Sequence, residues 1–249
     1  MAGGDWWEFR SPFRHWRASS VLDPEIYDAV SAKFRLIVEQ TQGQGPLRMS
    51  ASTGNYDAQI LALNADLAGW FSPFLEAAWI KSLHRFLRIP ETRRIDAALH
   101  SSPPGSRTGW IHTDLCSAWF DEASCGDELS FANRAACDYF TGKTHTESAR
   151  PKEYVRAATM IYYLCNEGWS EPDGGETGLY GAAKPHDRTI VSRVPPVDNT
   201  LLLFECSPHS YHRFLTNPGR RRNSIILWLH TTVDAAEARW PNAVTRRHR

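Results

Sequence analysis

His112-Thr113-Asp114 sets an imidazole and a carboxylate two residues apart. The run Trp110 to Thr113 reads as a strand end, so period-two alternation would turn both side chains to the same side. A metal ion held there needs a further ligand, and Pro208-His209-Ser210-Tyr211-His212-Arg213-Phe214 offers two histidines. Two imidazoles and one carboxylate on one face of an ion leave three coordination positions open, an arrangement that suits non-haem iron(II). Taken alone an HxD triplet is weak, since His and Asp at strand ends usually cap or hydrogen-bond. The run Arg220-Arg221-Arg222 then opens the strand-like segment Arg222-Asn223-Ser224-Ile225-Ile226-Leu227-Trp228. A guanidinium is always charged and can grip a carboxylate with two donors. Alternation puts Arg222 and Ser224 on one side and Arg221 on the other. Arg222 is therefore the preferred anchor for the carboxylate of a bound cosubstrate, with Ser224 as a second donor.

These residues need a scaffold. Glu25 to Gln40 carries Ile26, Val30, Phe34 and Ile37 near helical spacing behind Pro24, which predicts an amphipathic helix. Tyr56 to Phe71 and Pro73 to Leu87 read as two more helices, and Pro90 closes the helical part. Beyond it the texture changes to β-rich runs between Pro/Gly/Asp turns: Ile95 to His100, Trp110 to Thr113, Ala158 to Leu164, Gly178 to Tyr180, Thr200 to Glu205 and Ser224 to His230. The expected fold is mainly β with N-terminal helices, a sandwich or jelly roll in one domain over residues 1–249. Within it, 1–92 would be helical support, 93–232 the β core and 233–249 a tail. The polar, poorly periodic stretch 116–152 is an insertion, either structured or a mobile lid.

The order of the elements resembles the prolyl 4-hydroxylase-like branch of the iron(II)/2-oxoglutarate-dependent dioxygenases. His112-Thr113-Asp114 is followed by Ile161-Tyr162-Tyr163-Leu164-Cys165-Asn166, then Gly174-Gly175-Glu176, Val194-Pro195, Leu201-Leu202-Leu203-Phe204, a histidine and Arg222. The resemblance implies a distorted double-stranded β-helix (jelly-roll, cupin-like) core. It implies His112, Asp114 and His212 as both metal ligands and catalytic centre, His212 being preferred to His209 by its spacing to Arg222. Arg222, Tyr163 and Ser224 would bind 2-oxoglutarate, and the cofactor set would be Fe(II), 2-oxoglutarate and O2, with release of succinate and CO2. Because Asp114 is retained where related halogenases carry a small residue, the resemblance implies hydroxylation, or a related desaturation or ring-forming oxidation, rather than halogenation. Gly174-Gly175 lacks the GK[ST] of a phosphate loop and reads as a tight turn into a strand.

Composition sets limits on partners. Lys+Arg and Asp+Glu are both 28, so no net field draws in nucleic acid or an anionic membrane. The basic run Arg246 to Arg249 reads as a solvated tail. No apolar h-region opens the chain and no run is long enough to span a bilayer, so a cytoplasmic protein is expected. Five cysteines without a CxxC pair argue for reduced thiols rather than a disulfide framework or a zinc site. Trp119 and Trp169, near the motifs, are candidate substrate-side residues among ten tryptophans. The expected substrate is a small metabolite, as in a biosynthetic tailoring step, under a lid formed by 116–152. A prolyl or peptidyl hydroxylase and a non-catalytic β-helix sensor are the alternatives. Composition carries no signal for the oligomeric state.

Overall fold

The computed structural model describes residues 4–41, 50–51, 57–126, 128–181 and 189–246. In chain order the elements are β1 (Asp5–Phe9), β2 (His15–Ser19), α1 (Pro24–Thr41), β3 (Ser50–Ala51), β4 (Gln59–Ala62), α2 (Ala65–Ala68), α3 (Ser72–Leu75) and α4 (Ala77–Leu87). Then come β5 (Arg94–Ser102), β6 (Ser117–Asp121), β7 (Ser130–Phe131), β8 (Pro151–Tyr163), β9 (Thr177–Tyr180), β10 (Ile190–Val194), β11 (Thr200–Glu205), β12 (His212–Phe214), β13 (Arg222–Thr232) and α5 (Val233–Arg239).

The strands form a ten-stranded sheet, ordered β1-β2-β11-β8-β13-β5-β4-β3 with β6 on β8 and β7 on β5, and a three-stranded sheet β10-β9-β12. This is a double-stranded β-helix. Alternation along β13 explains how the large sheet is covered on both sides. Ile225, Leu227 and Leu229 point outward into a core shared with Phe34 and Ile37 of α1 and with Ile80 and Leu83 of α4. Ile226 and Trp228 point inward, where they join Ile161 and Tyr163 of β8 and Leu179 of the small sheet. A strand buried on both faces has no reason to alternate apolar with polar, and β13 is buried from Arg222 to Thr231. Polar side chains on its inner face are therefore held by specific partners. No helix among the described residues is long and apolar enough to cross a membrane.

Helix α1 and strand β11 match the expected segments closely. The N-terminal 1–92 segment is less helical than expected. Met1 to Arg17 received no element from periodicity, yet β1 and β2 form a hairpin whose second strand extends the large sheet beside β11. The expected helix from Tyr56 to Phe71 is replaced by β4, with only α2 and a 3-10 turn behind it; Tyr56 itself lies outside the described residues. β4 lies along β5, from Gln59 opposite Ser101 to Ala62 opposite Ala98, so sheet pairing overrides helical spacing. The Asn64 side chain then accepts from the Leu67 N–H and starts α2. The helix expected over Pro73 to Leu87 is split at Glu76, whose backbone is extended (φ −75°, ψ 136°).

The insertion 116–152 is no detached flap. Its first strand, β6, pairs with β8 from Ser117 opposite Val155 to Asp121 opposite Pro151. Ala118, Phe120 and Tyr139 pack with Tyr154 as a core of their own. The expected tail also packs: Ala236 and Val244 are buried with Leu115 and Val155.

Candidate metal and cosubstrate site

The predicted strand Trp110 to Thr113 is reduced to a single bridge, and that bridge builds the centre. His112 N–H donates to the His212 carbonyl at 3.1 Å and His212 N–H donates back to the His112 carbonyl at 2.9 Å. Two backbone bonds thus hold the imidazoles side by side, ring centroids 4.5 Å apart. Each ring is also fixed in its plane, because His112 Nδ1 lies 3.0 Å from the Trp110 carbonyl and His212 Nδ1 lies 3.0 Å from the Ser210 carbonyl. A carbonyl only accepts, so both Nδ1 atoms carry the proton and both Nε2 lone pairs are free to ligate. Each Nε2 stands 3.7 Å from an oxygen of Asp114. The ligand atoms of His112, Asp114 and His212 all fall within 4.8 Å of one another, the one such cluster among the described residues. His209 stays out of it, its ring edge-on to Trp240 at 6.3 Å.

Asp114 is buried and held on several sides. Its Oδ2 accepts from Thr159 Oγ1 at 2.8 Å and from Trp228 Nε1 at 2.9 Å, and Oδ1 lies 3.4 Å from Arg156 Nη1. Burial alone would raise its pKa, but charge on His212, Arg156 and His112 and the Trp228 N–H together hold it below the usual carboxylate range. Burial lowers His212 to about 4, aided by the neighbouring His112 and opposed by Asp114. At neutral pH the set is therefore one carboxylate and one neutral buried imidazole beside the half-exposed His112. That donor set fits a divalent transition metal, and its open side faces a cleft of about 810 Å³.

Arg222 lines the same cleft and is 3 % exposed. Nη1 donates to Ser224 Oγ at 2.7 Å and Nη2 to Thr177 Oγ1 at 3.3 Å, while Nε has no partner. The Tyr163 hydroxyl lies 2.7 Å from the same Thr177 Oγ1, and the guanidinium sits over the Tyr163 ring at 5.0 Å. Among the described residues no carboxylate pairs with Arg222. A buried cation without a counter-charge is costly, so this cluster fits the carboxylate of a bound dicarboxylic acid. Its rivals are engaged elsewhere: Arg220 with the Glu167 carbonyl and Asp173, Arg221 with Ser101 and Gln59. Gly175 explains the glycine pair. Its φ is +82°, and a Cβ there would lie 3.1 Å from Arg222 Cγ.

Trp169 is not a cleft residue: its Nε1 donates to the Gly174 carbonyl. Trp119 sits over Gly142 in the insertion. Trp110 and Trp228 line the cleft instead. Sequence reasoning also missed Asp96, Arg134, Arg156, Thr159 and Thr177, all cleft-lining. A charged residue inside the apolar run of β8, as Arg156 is, was the available signal.

The 2OG-Fe(II) oxygenase superfamily profile matches residues 131–230, a span that includes Tyr163, His212 and Arg222. Over 78 residues the chain is 37% identical to "Prolyl 3-hydroxylase OGFOD1" of Xenopus laevis, 30% of this chain but only 15% of that protein. Among solved structures, a Pseudomonas putida prolyl-4-hydroxylase aligns with TM-score 0.55 at 17% identity, over 93% of this chain and 95% of that one. A Trichoplax adhaerens prolyl hydroxylase, solved in complex with a hypoxia inducible factor oxygen degradation domain peptide fragment, aligns with TM-score 0.55 at 17% identity, over 90% of this chain and 86% of that one. At such identities the structural likeness carries the fold.

Proposed function

We propose that this chain, whose residues 131–230 match the 2OG-Fe(II) oxygenase superfamily and whose fold is like that of prolyl 4-hydroxylases, is an iron(II)- and 2-oxoglutarate-dependent hydroxylase of a peptidyl, proline-type substrate. The observation that carries the oxygenase reading is the pairing, in one cleft, of the His112-Asp114-His212 cluster with the uncompensated Arg222. His112, Asp114 and His212 would hold the iron, and Arg222, assisted by Thr177 and Tyr163, would hold the far carboxylate of 2-oxoglutarate. Bound there, iron supplies the redox chemistry that turns 2-oxoglutarate, O2 and a C–H bond into succinate, CO2 and a C–OH bond.

The chain's own contribution is positional. The Trp110 and Ser210 carbonyls keep the imidazoles in the ligating tautomer, and Thr159 and Trp228 aim the Asp114 carboxylate. Ser224 has a supporting part in this scheme: it accepts from Arg222 and fixes the guanidinium. A zinc hydrolase would use the same three ligands but would leave Arg222 without a purpose.

For the substrate, the relatives favour a peptide over the small metabolite expected from composition. The three relatives described above are named as prolyl hydroxylases, and one was solved with a peptide fragment. An insertion tied into the sheet through β6 also weakens the lid on which the metabolite expectation leaned. The test is to incubate the iron-loaded protein with 2-oxoglutarate and either proline-containing peptides or a metabolite set, following succinate and a gain of one oxygen in mass. Coupled oxidation of a peptide proline supports the reading, and coupled oxidation of metabolites alone overturns its substrate half.

A further inference from the structure

We infer that the cleft takes a substrate carrying a carboxylate beside the oxidised group, and that Arg134 of the insertion binds it. The inference rests on the oxygenase reading and adds a charge requirement to its substrate.

The cleft has a cation at each end. Pairing of β5 with β13 sets Ser102 opposite Arg222 and Asp96 opposite Trp228. Trp228 is six residues along the strand from Arg222, roughly 20 Å at about 3.3 Å per residue. Asp96 is buried, and two arginines meet it: Arg134 Nη2 at 2.7 Å and Arg156 Nη2 at 3.8 Å. Arg156 also reaches Asp114, so Arg134 stands three ion-pair links from the Asp114 carboxylate of the metal cluster. That is on the order of 10 Å, within reach of the residue next to an oxidised one, given a Cα spacing of about 3.8 Å.

Arg134 is built to bind something further. Its guanidinium stacks on the Tyr139 ring at 4.4 Å, which holds it in place. One of its five N–H donors goes to Asp96, and its side chain remains 38% exposed in the cleft wall. Neutralising Asp96 does not by itself require it, since Arg156 already faces that carboxylate.

Charge counting points the same way. The charged side chains lining the cleft are Arg134, Arg156 and Arg222 against Asp96 and Asp114. The dication and Asp114 carry a net single positive charge, and dianionic 2-oxoglutarate with Arg222 a net single negative charge, so the two cancel. Arg134, Arg156 and Asp96 are left with one positive charge in a partly dry lobe. His100, which also lines the cleft, adds none: burial, with Arg222 and Arg156 nearby, holds its pKa at about 3. One carboxylate would balance the lobe, and the apolar wall of Ile60, Ala62, Ala98 and Phe140 would take the uncharged body.

A carboxylate can come from a free α-carboxyl group or from an acidic side chain flanking the oxidised residue. Two matched probe pairs separate these sources: N-acetyl-proline against N-acetyl-prolinamide, and Ac-Ala-Pro-Glu-Ala-NH2 against its Gln counterpart. Each is titrated calorimetrically into the full chain loaded with Mn(II) and 2-oxoglutarate, with Arg134→Gln and Arg134→Lys in parallel. The carboxylate member of at least one pair should bind about tenfold more tightly than its amide, a preference lost in Arg134→Gln and partly kept in Arg134→Lys. 2-Oxoglutarate binding should be the same in all three proteins. Equal binding within both pairs, no binding of any probe, or a preference that survives Arg134→Gln overturns the inference. Failure of the Mn(II)-loaded wild type to bind 2-oxoglutarate would instead bring down the oxygenase reading beneath it.

Discussion

Asp114 is the only anionic member of the proposed ligand set, and its carboxylate is aimed by residues that no local motif announces. Asp114→Ala and His212→Ala should each abolish tight Fe(II) or Mn(II) binding by calorimetry, whereas His209→Ala should bind metal like the wild type. The opposite order for the two histidines would assign the ligand wrongly. Arg222→Ala should weaken 2-oxoglutarate binding by about 2–5 kcal/mol, because it strands a carboxylate without its partner. Tyr163→Phe should cost on the order of 1 kcal/mol, as for one neutral hydrogen bond. Unchanged affinity in Arg222→Ala would remove that residue from the site. The HxD triplet, the histidine and Arg222 of the proposed site were legible because their residue types and order stand out in the sequence itself. Thr159 and Trp228 were not, because they meet Asp114 across separations of 45 and 114 residues that only the sheet register closes.

At the scale of elements, the legible parts were those whose burial is one-sided or whose turns need glycine. Helix α1 shows its apolar stripe, and β9 is announced by Gly174-Gly175. Gly175→Ala should lower stability by about 1–2 kcal/mol from the left-handed backbone alone. It should also weaken 2-oxoglutarate binding, because its Cβ presses on Arg222. Wild-type affinity in this variant would separate the turn from the cosubstrate site. β4 and β6 were hidden for a different reason. Each is a short strand recruited to the edge of another, Gln59–Ala62 on β5 and Ser117–Asp121 on β8, so partner strands decide their conformation. Phe120 shows that β6 belongs to the fold: it is fully buried, with its ring edge-on to Tyr139, Tyr154 and His230. Phe120→Ala should therefore destabilise the whole protein by about 3–5 kcal/mol in a single unfolding transition. A change confined to a separate minor transition would mean the insertion folds apart from the sheet.

Across the molecule, the price of this inner chemistry is acid sensitivity. His100 and His212 are lowered to about 3 and about 4, in each case chiefly by burial. Their folded values lie below the ordinary 6.5, so the unfolded chain binds more protons as pH falls beneath that value. The stability tied to their neutral forms is thus whole above about pH 6.5 and is lost as pH falls toward 4 and 3, at up to about 1.4 kcal/mol per unit for each ring. Asp114 acts in the same direction at lower pH: its depressed pKa gives stability that is present above 3.8 and lost below. Denaturant midpoints of the metal-free protein should be flat above neutrality and fall steeply from pH 6.5 to 4, with a shallower fall in His100→Leu. An identical slope in that variant would contradict the burial of a neutral His100. In the proposed function, one cleft couples 2-oxoglutarate to iron through His112, Asp114, His212 and Arg222. The most direct test loads the protein anaerobically with Fe(II) and 2-oxoglutarate, admits O2 and measures succinate. Succinate that requires both Fe(II) and 2-oxoglutarate, and that is lost in Asp114→Ala and Arg222→Ala, is the predicted result; none from a loaded wild type, or wild-type yields from both variants, would contradict the account.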